Sequence, residues 1–156
     1  MDPLTLDRQA LAQMFAHARE AHPEECCGAV VHRDGRDVVY RFTNVQNEMH
    51  AKDPVAYPRT AATAYTPRHS ELFAAQKAGD EPGARLLVFY HSHAINGSYF
   101  SDEDRRKAIE PWDEPNYPEV TYVVVSDARV PDEARAFRWD ETRREHVEVP
   151  IVVREP

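Results

Sequence analysis

Apolar residues occur along the chain either at helical spacing or in short continuous runs. Polar stretches, several of them rich in proline, separate these segments. Leu11, Met14 and Ala18 recur at the spacing of one helical face, which predicts an amphipathic helix near the start of the chain. Asp34-Gly35 between two apolar runs is typical of a tight hairpin turn. The predicted elements are helices over 6–21, 70–78 and 101–109, and strands over 27–31, 37–42, 86–90, 120–125, 134–139 and 146–153.

The segments between these elements are predicted to be loops. The longest, 43–68, has no clear period, and an irregular stretch of this length in a compact domain is usually functional or ordered by packing. Thr66-Pro67 at its end is typical of a helix start. We also expect loops over 91–100 and 111–118. The order mixes helices with hairpins, which predicts an α/β (α+β) fold, and we expect one domain over 1–156.

Composition narrows the class of protein. The 156 residues carry a formal net charge of −8, which argues against a nucleic-acid or anionic-membrane partner, since such proteins are normally basic. No apolar run is long enough to span a membrane, and residues 1–7 lack an apolar leader. Cys26 and Cys27 are adjacent, a spacing that strains a disulfide, so we expect reduced thiols and a cytoplasmic protein.

The strongest chemical signal is a pair of histidines after the apolar run at 86–90. His91 and His93 are two residues apart, and in an extended chain such residues point to the same side. Asp104 follows in the first turn of a predicted helix, close enough for the loop to fold it back. Two imidazoles and one carboxylate suit Zn²⁺ and leave a fourth position for water, as in a catalytic site.

Each part of this pattern also has an ordinary structural explanation. A pair of histidines two residues apart occurs by chance, and Ser101-x-x-Asp104 is a helix capping box that needs no catalysis. The adjacent thiols Cys26 and Cys27 suggest a cysteine hydrolase, although a small buried cysteine at a strand start is commoner. Tyr99-Phe100 before the helix either lines a substrate groove or packs the loop.

Taken together, the segments resemble one known motif. His91-Ser92-His93, seven residues and then Ser101-x-x-Asp104 match the JAMM motif of the MPN-plus metalloproteases at every position. His22-Pro23-Glu24-Glu25-Cys26-Cys27-Gly28 resembles the P-x-E-x-x-G segment of the family, and the proline-to-glutamate spacing selects Glu25. The resemblance extends over roughly residues 5–126. Ala94 stands where many bacterial members carry proline, a departure that bears on loop rigidity.

The resemblance implies a mixed β-sheet flanked by helices, as in MPN and cytidine-deaminase-like folds. It implies that His91, His93 and Asp104 hold Zn²⁺. It makes Glu25 the general base, which later passes the proton to the leaving amine. It makes Ser101 a hydrogen-bond donor to the tetrahedral oxyanion, a role compatible with capping.

The implied activity is hydrolysis of a peptide or isopeptide bond near the C-terminal tail of a ubiquitin-like or sulfur-carrier protein. The chain resembles the compact prokaryotic members, which often work beside an activating enzyme. Two alternatives stay open: a zinc amidohydrolase acting on a small conjugate, and a zinc-containing scaffold without activity. Two segments, 43–68 and 111–118, either form walls of the substrate site or only pack against the core; the second contains Trp112.

Overall fold

The computed structural model describes residues 1–94, 97–126 and 132–156. Within these ranges, no helix is both long and apolar enough to cross a membrane. The helices and strands, in chain order, are β1 Leu4–Asp7, α1 Arg8–Ala21, β2 Cys27–Arg33, β3 Arg36–Phe42, α2 Gln46–Lys52, α3 His69–Gly79, β4 Ala84–His93, α4 Asp102–Ile109, β5 Thr121–Ser126, β6 Glu133–Asp140, β7 Glu145–Val149 and β8 Ile151–Arg154.

The main sheet is mixed and has the strand order β3-β2-β4-β5-β6-β7. Only the β4–β5 pair is parallel, and the other neighbours are antiparallel. Strand β4 therefore lies inside the sheet, where a continuous apolar run buries both of its faces. A separate pair joins β1 and β8 in parallel. These features confirm the predicted α/β fold with a mixed sheet.

Helices cover both faces of the main sheet. On one face, Met14 and Ala18 of α1 pack with alternate strand residues such as Val88 and Val123. On the opposite face, Ala75 of α3 and Ala108 of α4 lie in two further apolar clusters of the core. Because side chains alternate along a strand, every second residue of β4 faces α3 and α4.

The hairpin between β2 and β3 forms as the sequence predicts. Asp34 has φ 51° and Gly35 has φ 74°, the left-handed conformations that both central residues of a type I′ turn require. Glycine adopts this conformation without a steric cost, and aspartate tolerates it better than most residues. The turn sets the antiparallel register of β2 on β3.

Both ends of the chain differ from the prediction. Residues 4–7 form β1, so the helix predicted over 6–21 begins only at Arg8. The single strand predicted over 146–153 is two strands, because Pro150 cannot donate a hydrogen bond and ends β7 in the main sheet. Its carbonyl instead accepts the Leu4 N–H at 2.8 Å, where β8 pairs with β1.

The central loops differ as well. The loop predicted over 91–100 begins later, because β4 stays paired with β5 as far as His93; residues 95–96 lie outside the described ranges. The segment 43–68 is not irregular throughout, since it contains α2. Helix α3 begins at His69 rather than at Thr66-Pro67, because Pro67 forms a bridge with Asn44.

Candidate metal centre

Three side chains converge where β4 meets α4. His91 and His93 project from the end of β4 on the face that carries α3 and α4. The Nε2 atoms of the two histidines are 3.3 Å apart, and Asp104 Oδ2 lies 3.1 Å from His91 Nε2. The distance from Asp104 Oδ2 to His93 Nε2 is 3.5 Å, so three ligand-type atoms point at one position.

This spacing fits a tetrahedral metal ion. Ligands bound about 2.0–2.1 Å from a tetrahedral ion lie roughly 3.3 Å from one another, which matches the three distances. His93 Nδ1 is 2.9 Å from the Gly97 carbonyl, which assigns the ring proton to Nδ1 and leaves the Nε2 lone pair free for a metal. Among the described residues, this is the group of histidine, cysteine and carboxylate side chains placed to hold an ion.

Asp104 belongs both to this cluster and to the start of α4. Its backbone N–H donates to Ser101 Oγ at 3.0 Å, and its Oδ2 accepts the Ser101 N–H at 3.0 Å, which completes the predicted capping box. Burial raises the pKa of Asp104, but His91, His93 and the Ser101 amide outweigh burial and hold that pKa well below its usual range. The two hydrogen bonds with Ser101 orient the carboxylate towards the two imidazoles.

Glu25 lies beside the histidines because of strand register. Cys27 pairs with His91 in the antiparallel β2–β4 ladder, so Glu25, two residues earlier, comes opposite His93. Two hydrogen bonds hold the residue before β2 against β4. The Cys26 N–H donates to Ser92 Oγ at 2.8 Å, and the Ser92 N–H donates to the Cys26 carbonyl at 3.0 Å.

The environment of Glu25 suits proton transfer. The residue is 7% exposed, and burial raises its pKa to about 8, with Asp104 adding to the rise and His93 and Lys107 opposing it. A carboxyl group with a pKa near the working pH can both accept and return a proton. Glu25 and Ser101 line the same small cavity of about 100 Å³, together with His93 and Asp104.

The end of the 43–68 segment forms one wall of this cavity. The Glu25 N–H donates to the Ala61 carbonyl at 2.8 Å, and the Tyr65 ring stacks on His91 with 4.5 Å between ring centroids. Arg59 bridges to Glu103 of α4 at 2.9 Å. This part of the segment therefore lines the candidate cavity, and its role as a wall of a substrate site stays a prediction.

The profile of the prokaryotic homologs of the JAB domain matches residues 7–140 of this chain. The chain belongs to this family. The match agrees with the JAMM-type motif and with the ligand cluster described above.

Individual relatives agree with this assignment. Proteins from Mycobacterium tuberculosis and Mycobacterium bovis named CysO-cysteine peptidase are 31% identical over 113 residues, which are 72% of this chain and 66% of theirs. The chain thus spans slightly less than two thirds of the length of these curated relatives. A solution structure of a Desulfitobacterium hafniense protein matches with a TM-score of 0.70 and 25% identity, covering 97% of this chain and 93% of that one. A Salinibacter ruber protein shares the fold, with a TM-score of 0.59, 24% identity and coverages of 97% and 92%.

The structure also places the residues for which the sequence left local alternatives. Tyr99 lines the site cavity with its ring edge-on to His93 at 4.9 Å, whereas Phe100 is buried against Phe137. Phe100 therefore packs the loop, and Tyr99 lines the candidate cavity, where a role in a substrate groove stays a prediction. Cys27 is buried, and burial raises the pKa of its thiol, which disfavours a nucleophilic thiolate.

A second space opens on the other side of Asp104. This apolar cavity of about 290 Å³ shares Tyr65, Asp104 and Lys107 with the site cavity. The segment 111–118 contributes Asn116 and Tyr117 to its wall, while Trp112 is 80% exposed. The rest of its lining is mainly apolar and aromatic, including Phe42, Leu72, Phe89 and Tyr122.

Sequence reasoning missed two residues of the site. Lys107 lies three positions after Asp104 on α4, so helical periodicity placed it on the same face, and that signal was available. Tyr65 comes from a segment without periodicity, and no local pattern in the sequence connects it with His91.

Proposed function

We propose that this JAB-domain protein is a zinc-dependent metallopeptidase acting near the C-terminal tail of a sulfur-carrier or ubiquitin-like protein. The observation that carries the proposal is the convergence of three ligand atoms beside a buried carboxylate, Glu25, which lines one small cavity with His93 and Asp104. Structural zinc sites use four protein ligands, whereas three ligands with an acid–base group alongside are typical of hydrolytic sites.

In this proposal His91, His93 and Asp104 hold the zinc ion. When bound, the ion supplies a Lewis acid that polarises the substrate carbonyl and makes water acidic enough to attack near neutral pH. The spacing of the three ligand atoms and the Nδ1 proton of His93 both favour this donor set.

The remaining chemistry falls to Glu25 and Ser101. Glu25 accepts a proton from the attacking water and returns it to the leaving amine, a double role that its burial beside the ligand cluster favours. Ser101 Oγ uses a lone pair to accept the Asp104 N–H, so its hydroxyl proton stays available for the oxyanion of the tetrahedral intermediate. Tyr65 lines the same cavity as both groups, and the Ala61 carbonyl accepts the Glu25 N–H.

The name of the mycobacterial relatives supports a sulfur-carrier conjugate as the substrate class. Because the chain spans only 66% of those proteins, their substrate is a proposal for this one. The buried thiols of Cys26 and Cys27 are consistent with a reducing cytoplasm, where an associated activating enzyme would supply the carrier.

Metal content and hydrolysis test the proposal in order. Elemental mass spectrometry of the purified protein should find about one zinc per chain, lost in Asp104→Ala. A sulfur-carrier protein extended by a C-terminal residue is then incubated with the zinc-loaded protein and with Glu25→Gln. We expect cleavage by the native protein and a loss of at least about 10²-fold in Glu25→Gln with zinc retained.

The other outcomes identify the alternatives. Bound zinc without hydrolysis of protein or small substrates would indicate a scaffold. Hydrolysis of small amide conjugates alone would indicate an amidohydrolase. Absence of zinc after reconstitution at neutral pH would contradict the metallopeptidase, and Ser101 and Asp104 would then serve only as the cap of α4.

A further inference from the structure

Lys107 brings a positive charge to the boundary between the two cavities. It lies on the same face of α4 as Asp104, three residues further on, and lines both spaces. Its Nζ is 3.4 Å from the Tyr65 carbonyl and 5.3 Å from the centroid of the Tyr65 ring. Within the described part of the chain, it has no carboxylate partner at ion-pair distance.

Among the described residues of the site, Lys107 is the cation without a carboxylate partner. Arg59 is neutralised by Glu103 at 2.9 Å. With a divalent ion in place, even full ionisation of Asp104 and Glu25 would only balance the charge of that ion. The ammonium of Lys107 is then a half-buried cation without a counter-charge, which is costly unless the substrate supplies one.

The position of Lys107 indicates which substrate group this is. Lys107 lines the cavity that contains Glu25 and also the apolar cavity, so the residue that follows a peptide bond held beside Glu25 is within reach of its ammonium. If that residue is the last of its chain, it presents a carboxylate only a few bonds from the scissile nitrogen. An internal residue presents a neutral amide there and leaves the ammonium without a charged partner.

We propose that Lys107 is the specificity-determining residue that binds the free α-carboxylate of the substrate's last residue, whose side chain lies in the 290 Å³ apolar cavity. This inference rests on the proposed function and specifies its substrate class. Hydrolysis breaks the last C–N amide bond. The water oxygen stays on the new carboxylate of the shortened protein, and a water proton passes to the released amine.

A pair of substrates that differ only at the C-terminus tests the inference. A sulfur-carrier protein extended by one residue is prepared as the free acid and as the C-terminal amide. We expect the native protein to cleave the acid about 10–100-fold more efficiently, mostly through KM, because a charge-assisted hydrogen bond is lost in the amide. Lys107→Met should bring the ratio close to one, Lys107→Arg should keep much of it, and Lys77→Met, an exposed lysine of α3, should leave it unchanged.

A binding measurement separates this inference from the proposed function. Calorimetric titration of zinc-loaded Glu25→Gln with the free-acid and amide forms of the extended carrier protein should show tighter binding of the acid. The preference should vanish in the double variant that also carries Lys107→Met. That result supports the inference even if the native protein hydrolyses neither form, in which case the proposed function alone fails. Equal binding of acid and amide, or a preference that survives Lys107→Met, would overturn the inference.

Discussion

The ring of Tyr65 lies flat against the ring of His91, with 4.5 Å between centroids and 23° between planes. The contact joins a residue of a long connecting segment to a residue of the central strand. It restricts the rotation of the His91 imidazole, whose Nε2 must point at His93 and Asp104 for the three ligand atoms to converge.

Removal of the Tyr65 ring should therefore weaken metal binding. Groups that orient a metal ligand without touching the ion typically contribute 10–100-fold to affinity. We expect Tyr65→Ala to lose zinc about tenfold more readily to a competing chelator, whereas Tyr65→Phe, which keeps the stacked ring, should behave like the native protein. Equal zinc affinity in all three proteins would show that the stacking does not orient His91.

Ser101 should have separable effects on stability and rate. Ser101→Ala removes the side-chain cap of α4, at a cost of about 1 kcal/mol in the free energy of unfolding. Because it also removes the hydroxyl donor, we expect kcat to fall by about 10²–10³ with zinc retained. Ser101→Thr keeps the hydroxyl and should recover most of both quantities. Full activity in Ser101→Ala would limit Ser101 to its capping role.

Gly28 provides the space that Tyr90 fills. A Cβ atom at Gly28 would lie 2.5 Å from the Tyr90 ring, and Tyr90 is 1% exposed with its hydroxyl 2.7 Å from His17 Nδ1. Either the Tyr90 ring or the backbone must shift to admit this atom, so Gly28→Ala should reduce stability by about 1–3 kcal/mol in urea denaturation. The same substitution made together with Tyr90→Leu should cost less than the sum of the two single changes. Additive costs would argue against this steric explanation.

His146 should make the fold sensitive to acid. Burial, with a smaller effect from Arg105, lowers the pKa of His146 to about 4, and its Nε2 has no hydrogen-bond partner among the described residues. The unfolded chain takes up this proton at higher pH than the folded chain does, so stability falls as the pH drops from about 6.5 towards 4. This effect amounts to about 2–3 kcal/mol by pH 4.5.

The matched variant for this prediction is His146→Phe. The imidazole packs against the rings of Phe100, Tyr122 and Trp139 at 5.2–5.5 Å, a setting that suits a phenyl ring. Between pH 7 and pH 4.5 the variant should lose about 2 kcal/mol less of its free energy of unfolding than the native protein does. An identical loss in both proteins would show that other groups cause the acid sensitivity.

Several local features were predictable from the sequence, for a physical reason. The Asp34-Gly35 turn, the Ser101 cap and the buried strand over 86–90 depend on residues within a few positions of one another. Backbone conformation, capping and alternation act at that range, so a short segment carries the whole signal. The shared orientation of His91 and His93 was predictable for the same reason, since a strand places residues two apart on one face.

Other features exist only because distant segments meet. Strand β1 forms because β8 pairs with it, and four residues near the start of the chain show no such pattern alone. The placement of Glu25 opposite His93 follows from the register of β2 on β4, which the Cys26–Ser92 hydrogen bonds hold.

The sequence by itself determined the chemical character of the candidate site: two imidazoles, a capping carboxylate and a glutamate in a family pattern. The tertiary structure alone decided what surrounds them, namely the Tyr65 ring on His91, Lys107 beside the Tyr65 carbonyl and the apolar cavity next to it. The identity of the reactive groups follows from residue type and short spacing in the sequence. Walls and cavities arise from packing between segments whose meeting no short spacing encodes.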